Sequence, residues 1–475
     1  MLNKESQREA NKGGRLINSP PEGQIVSIWQ RLLAHRTELT TEAGEPIKII
    51  YPGRVNAESG ADFRDAVIAT SQGVIKGDIE IHVKSSGWRA HRHHHNPLYN
   101  QVILHVVMWH DTEKATKLQN GDSIPTLALN KYIKTPISQR LSETGPPVTL
   151  STPCLKATEP LTTGMVTDFL DSAGEERFLA KATKFQADLA QTEASQCLYQ
   201  GIMGALGYSQ NRLPFLELAH RVPLHRLEFI TRNQTSDEEC LSRLQALLLG
   251  TAGLLPSQRQ DRHQKNRIDD NWIYKLERLW TCYHPAEAMT RDEWNLFRVR
   301  PNNSPIRRIA AMSYLMLRYR QRGLFSGVIN MITEMPVSQS PGRLEKGLLV
   351  TTNGYWASHL DFGLASKIRS PTLLGSGRAS DITINVLLPF TFAWSKLTPL
   401  PGLKKKTLNL YRRYPRLAVN TIERHMKNQL GISSRLVNSA RRQQGLIHIY
   451  NSLCTQGRCH CCPLSHLEAG NHVQI

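Results

Sequence analysis

No apolar run in this chain approaches the roughly 18 residues that carry a helix across a bilayer, so no membrane partner is expected. The first residues, MLNKESQREANKGGR, are polar and charged, unlike a secretory signal, and the expected location is the cytoplasm. Cysteine is sparse, with 8 in 475 residues, which excludes a disulfide scaffold. Acidic residues are also short. Asp and Glu total 40 against 59 Lys and Arg, leaving a formal net charge of +19. That surplus disfavours acidic partners and favours a polyanion, nucleic acid first. No internal repeat is visible, which excludes a solenoid.

What is present begins with a polar arm over residues 1–22 that ends in Pro20-Pro21. Ile25, Ile28, Trp29 and Leu32 recur at helical spacing, predicting a helix over Gln24–Leu33. Strands are expected at Pro46–Tyr51, Asp62–Thr70, Gly77–Lys84 and Val102–Trp109, with an edge strand at Thr126–Leu129. Residues 23–135 therefore read as an α/β domain with a mixed sheet. A Pro/Thr/Ser-rich linker over 136–165 follows, then a helical domain over 166–335. Beyond these come an irregular Gly/Ser-rich segment (336–380), a C-terminal helical region (381–453) and a Cys-rich tail (454–475). The fold class is thus an α/β N-terminal domain followed by a larger, mainly α-helical region. Ser172-Ala173-Gly174-Glu175 reads as a capping box opening a helix. Basic segments at Arg298–Arg308, Arg318–Arg322 and Lys404–Arg416 are expected to contact phosphate.

The chemistry concentrates in Gly77–Asp111, GDIEIHVKSSGWRAHRHHHNPLYNQVILHVVMWHD. Strict alternation puts Asp78, Glu80, His82 and Lys84 on one strand face and Ile79, Ile81 and Val83 on the other. An ordinary solvated strand face explains alternation without requiring two carboxylates, an imidazole and an ammonium in a row. Asp62 with Glu80-x-His82 fits a divalent-cation site for phosphodiester hydrolysis. Asp62 and Glu80 would bind Mg²⁺ or Mn²⁺ with Asp78 in support. Glu80, His82 and Lys84 would carry the catalysis, His82 or Lys84 orienting or deprotonating the water. The alternative is a zinc or other transition-metal site drawn from His82, His91, His93, His95 and His105.

Cys454, Cys459, Cys461 and Cys462 crowd the tail. Their C-x2-C spacing suits zinc, with His460 or His466 completing the set, or an iron–sulfur cluster with Cys154 as an upstream ligand.

The arrangement of Asp62 and Glu80-x-His82 after a helix and strands resembles the PD-(D/E)xK nuclease core, a restriction-endonuclease-like fold. It departs from that pattern in three places. Ala61 replaces the Pro, His82 occupies the Lys position, and the helix before the fourth strand shrinks to a piece starting at Asn96-Pro97. Longer strings, GADFRDAVI (Gly60–Ile68), GDIEIHVKSSGW (Gly77–Trp88), NPLYNQVILHVV (Asn96–Val107), RPNNSPIRRIA (Arg300–Ala310), NVLLPF (Asn385–Phe390) and QQGLIHIY (Gln443–Tyr450), are similar to a bacterial family, domain of unknown function 2851. That resemblance runs from Pro52-Gly53 to Pro463 and implies no activity. The expected function is a metal-dependent nuclease. The alternatives are a non-catalytic nucleic-acid-binding protein with a structural cysteine metal site, and a His-ligated zinc hydrolase.

Overall fold

The computed structural model describes residues 21–56, 58–133, 163–234, 236–259, 271–283, 288–296, 299–336, 338–366 and 369–464. The arm before Pro21, Cys154 with the linker around it, and His466 lie outside the described residues. The chain divides into two compact units. One comprises Met1–Val166, Thr421–Ser433 and Ile447–Ile475; the other comprises Thr167–Asn420 and Ser434–Leu446.

The first unit is built on a mixed sheet. Its strands are β1 (Glu38–Thr40), β2 (Pro46–Tyr51), β3 (Arg54–Val55), β4 (Phe63–Thr70), β5 (Gly73–Lys84) and β6 (Val102–Trp109). β7 (Thr116–Lys117) and β8 (Ser123–Ile124) form a small ribbon, and β9 (Thr126–Ala128) ends the main sheet. The order is β1-β2-β4-β5-β6-β9, with β3 pairing on β4. β2, β4 and β5 run antiparallel, whereas β6 is parallel to both β5 and β9. Helix α1 (Glu22–His35) lays Ile25, Trp29 and Leu33, one per turn, on one sheet face. They pack with Ile47, Ile49, Phe63, Ile79, Ile81 and Val106, all buried. Each such large apolar side chain contributes about 1.5–3 kcal/mol.

A parallel β5–β6 pair needs a crossover. Here Ser85–Gln101 supplies it with the short helix α2 (Gly87–Ala90) and two single 3-10 turns, His93–His95 and Pro97–Tyr99. The expected Asn cap is present, Asn96 accepting from the Leu98 N–H at 3.1 Å, but it opens one turn rather than a helix. Asp111, just beyond β6, fixes the start of the crossover by accepting from Ser85 Oγ (3.0 Å), Ser86 Oγ (2.8 Å) and Ser86 N (2.9 Å).

The second unit is mainly helical. Thr163–Leu189, Ala194–Leu206, Arg212–Arg221, Leu224–Asn233, Asp237–Thr251, Asn271–Thr281, Pro305–Arg318 and Leu324–Thr333 come first. Ser376–Ile382 and Leu388–Trp394 flank a π-helical turn, Thr383–Leu387. That turn precedes Pro389, whose ring has no N–H to donate and crowds the turn before it. The segment 336–380 contains only short pieces, including the antiparallel pairs Val350–Thr351 with Thr372–Leu374 and His359–Asp361 with Leu364–Ala365.

Two expectations are corrected. Ser172–Glu175 does not open a helix, because the helix already runs from Thr163 to Leu189. Gly174 is there for proximity: a Cβ on it would stand 2.2 Å from the Arg441 carbonyl oxygen. Glu175, instead of closing a cap, pairs with Arg412 at 2.7 Å and Arg441 at 2.8 Å. Nor does the Arg298–Arg308 segment turn all its arginines to the surface: Arg298 lies outside the described residues and Arg300 is exposed, but Arg307 and Arg308 are buried. Arg307 is fully buried and donates to the carbonyls of Trp356 (2.6 Å), His359 (2.5 Å) and Ser370 (2.7 Å). Buried Arg308 donates to the Leu373 carbonyl and to Asn303 Oδ1 at 2.7 Å. Their donors hold the irregular segment's backbone, which has little regular structure to satisfy its carbonyls.

Candidate metal centre

β5 carries its alternation as expected, Ile79 and Ile81 turning toward α1. The opposite face is not solvated. The Ser85–Gln101 crossover lies over it, and Trp88, held by its indole N–H on the Lys117 carbonyl at 2.8 Å, closes the cover. Glu80, His82 and His105 are consequently buried on a polar face, and Trp88 packs edge-on or tilted against His82, His93 and His105.

Buried His82 and His93 meet His91, which is exposed on the crossover itself, each offering a ligand atom within 4.8 Å of the other two. Among the described residues this is the one group of three or more His, Cys, Asp or Glu side chains so gathered. His82 Nε2 and His91 Nδ1 face each other at 3.1 Å. Glu80 Oε1 lies 3.2 Å from His93 Nε2 and 3.6 Å from His82 Nε2. Ligands bound tetrahedrally at the usual zinc distances sit about 3.3 Å apart, close to the 3.1 Å between His82 and His91. His93 Nε2 is buried without a hydrogen-bond partner of good geometry, and its ring is fixed by stacking on Tyr99 at 3.8 Å.

Behind His82 runs a chain of hydrogen bonds. His82 Nδ1 meets His105 Nε2 at 2.9 Å, His105 Nδ1 meets Thr116 Oγ1 at 3.2 Å, and Thr116 Oγ1 meets Thr126 Oγ1 at 3.1 Å. If the ring proton of His82 sits on Nδ1, each member donates to the next and His82 Nε2 is left with a lone pair toward His91 and Glu80. An imidazole whose other nitrogen is held this way is the usual support of a metal ligand.

Asp62 and Glu80 are also brought together, as expected. The Asp62 N–H donates to Glu80 Oε2 at 3.1 Å, and the Ile81 N–H donates to Asp62 Oδ2 at 3.0 Å. Burial, reinforced by Glu80, raises the Asp62 carboxyl to about 7. Burial raises Glu80 to about 8. Burial and the neighbouring rings lower His82 to about 2 and His105 to about 3. His82 is therefore neutral, and its approach to Glu80 is not an ion pair. Both shifts come first from burial, which disfavours charge of either sign, and the rings stay deprotonated, the state a metal requires of its ligands.

The other expected residues fall elsewhere. Asp78 is engaged by the Arg64 guanidinium and by the Asp65 N–H at 3.1 Å. Lys84 is exposed at the strand end, where its charge acts on Asp111. His95 is exposed and lies tilted against His94 at 3.9 Å. In the tail, Cys454 and Cys462 are buried, Cys459 is half-buried and Cys461 exposed. Cys454 accepts from Gln429 Nε2 at 3.6 Å. These sulfurs are not among the groups of three gathered within 4.8 Å. Sequence reasoning missed Trp88, Thr116 and Thr126. Trp88 stands inside the histidine-rich stretch and was within reach, whereas nothing local marks two threonines on separate short strands.

A family model described as "Protein of unknown function (DUF2851)" matches residues 22–417, and the chain belongs to that family. No curated protein and no solved structure matches it, and no comparison supports the PD-(D/E)xK resemblance. The Gln443–Tyr450 string and the cysteine tail lie beyond the matched range. Among the described residues no helix is long and apolar enough to cross a membrane.

Proposed function

For this member of the DUF2851 family we propose a metal-dependent hydrolase centre in the first unit, with the ion held by His82, His91 and His93 and the substrate a phosphodiester. The convergence of those three imidazoles at the crossover carries the reading. Imidazole donors favour zinc and its transition-metal neighbours over Mg²⁺. Such an ion would polarise a phosphoryl oxygen and lower the pKa of an attacking water. Glu80, with Oε1 at the edge of the trio and ionised by the charge of a bound cation, would take the proton from that water. Asp62 orients Glu80 by donating its N–H to Oε2. The net charge of +19 supports a polyanionic substrate.

A second reading has one observation in its favour. Asp62 and Glu80 each commit one oxygen to a backbone N–H and keep the other, so the pair can hold Mg²⁺ or Mn²⁺ directly.

The full-length protein separates the two. Bound metal is quantified by mass spectrometry, and cleavage of labelled single- and double-stranded DNA and RNA is followed with Zn²⁺, Mn²⁺ or Mg²⁺. The first reading expects one transition ion per chain, lost in His91→Ala, and cleavage lost in Glu80→Gln with the ion retained. Stoichiometric metal and full cleavage in His91→Ala would sink it and favour the carboxylate site. Salt-sensitive nucleic-acid binding without cleavage in any metal would make the protein a binding module.

A further inference from the structure

The second unit contains a cavity of about 800 Å³ between the helices Thr163–Leu189, Ala194–Leu206, Arg212–Arg221 and the Ser376–Leu387 segment. Its size falls in the range of small-molecule sites. Five cationic side chains line it, Arg177, Lys181, Lys184, Arg212 and Arg378, against two carboxylates, Asp188 and Asp381. Among the described residues, Arg378 with Asp381 at 3.3 Å is the one ion pair within this set.

The hydrogen bonds at the floor go to neutral partners. Lys181 Nζ donates to Asn385 Oδ1 and to Gln444 Oε1 at 2.9 Å, and Arg177 Nε donates to the same Gln444 oxygen at 2.9 Å. Two like charges thus converge on one amide oxygen, which carries no formal charge to offset them. Burial and the nearby Arg177 push the Lys181 ammonium well below the usual lysine range, against the weaker pull of the Asp381 carboxylate. Arg378 lies over the Tyr208 ring at 3.5 Å, and its Nε is buried without a hydrogen-bond partner. Tyr208, also in the lining, sits at φ +56°, a left-handed conformation costly for an aromatic residue. Phe185, Leu216 and Val386 give the cavity an apolar wall.

We propose that this cavity binds a phosphate-bearing organic molecule of nucleotide size. Phosphate oxygens would replace neutral amides as the partners of Lys181 and Arg177 and would take the unpartnered Nε of Arg378, and Lys184 and Arg212, both exposed, would close on the anion from the rim. Guanidinium forks fit phosphate geometry, and the surplus of three positive charges suits a di- or triphosphate better than a single carboxylate. The apolar wall would take the organic part.

Isothermal titration of the full-length protein with ATP, AMP, inorganic pyrophosphate and adenosine tests this. Affinity should rise from adenosine, which should not bind, through AMP to ATP. Lys184→Gln with Arg212→Gln should weaken ATP binding roughly tenfold or more with the fold intact, since both sites are exposed, and Lys181→Met should weaken it further. Lys404→Gln with Lys405→Gln, equal in charge removed but distant in sequence and outside the lining, should leave it unchanged. Equal binding of adenosine and ATP, no binding of any probe, or equal weakening by the two double variants would each overturn the proposal. Tighter binding of pyrophosphate than of ATP would confine the site to the phosphate chain and refute the role of the apolar wall.

Discussion

His82 Nδ1 and His105 Nε2 stand 2.9 Å apart, two buried imidazoles on the parallel strands β5 and β6. His105 touches Glu80's strand position in register and passes its own other nitrogen to Thr116. In the proposed metal site it would be a positioning residue, acting through the orientation of His82.

His105→Phe should therefore weaken zinc binding about 10- to 100-fold while leaving His82, His91 and His93 in place. His105→Gln, which keeps an acceptor, should recover part of the loss. Competition with a calibrated chelator measures both. Unchanged affinity in His105→Phe would remove the His82–His105 contact from the metal's support.

The site also predicts a pH profile for the metal-free protein. Glu80 is raised from 4.5 to about 8, so the folded state holds a proton that the unfolded chain releases. Its contribution is complete below about 4.5 and is lost as pH rises through 8. His82 and His105 are lowered, so they remove stability only as pH falls below the unfolded value of about 6.5. Between pH 6.5 and 8.5 the carboxyl effect stands alone within this site, and the first unit's stability should fall by about 2 kcal/mol from Glu80, with Asp62 adding to it, while Lys181 in the second unit acts in the opposite sense. Urea unfolding after chelation checks this. In Glu80→Gln the decline should shrink to the part due to Asp62.

Gly174→Ala gives a prediction of sign. In an exposed helix the change gains about 1 kcal/mol from propensity. Here the new Cβ would meet the Arg441 carbonyl oxygen at 2.2 Å, so the second unit should lose stability, by about 1–3 kcal/mol. Denaturant midpoints of the two proteins decide it, and a stabilised variant would mean that the helices separate without cost.

Arg307→Met should destabilise the second unit by about 3–5 kcal/mol. The apolar replacement fills much of the volume but leaves the carbonyls of Trp356, His359 and Ser370 without the donors they have now. Arg307→Lys should recover little, because one ammonium cannot span acceptors that two guanidinium nitrogens reach. Equilibrium unfolding followed by tryptophan fluorescence reads both, and a loss below about 1 kcal/mol would make the guanidinium dispensable.

Local pattern determined a good part of this protein. Period-two alternation placed β5, and three-to-four spacing placed α1, since both periods are properties of the backbone alone. The same alternation put Glu80 and His82 on one face. It did not say that the face is buried. That depended on the Ser85–Gln101 crossover folding back, with Trp88 and Asp111 fixing it. Which imidazoles meet was likewise a matter of tertiary placement. His91 and His93 reach His82, whereas His95, two residues on, points to solvent, because a 3-10 turn separates neighbours around its axis. Arg307 and Gly174 repeat the lesson: a charge run looked like a surface and a glycine like a helix boundary. What each residue contacts depends on segments tens to hundreds of positions away, and no local period carries that information.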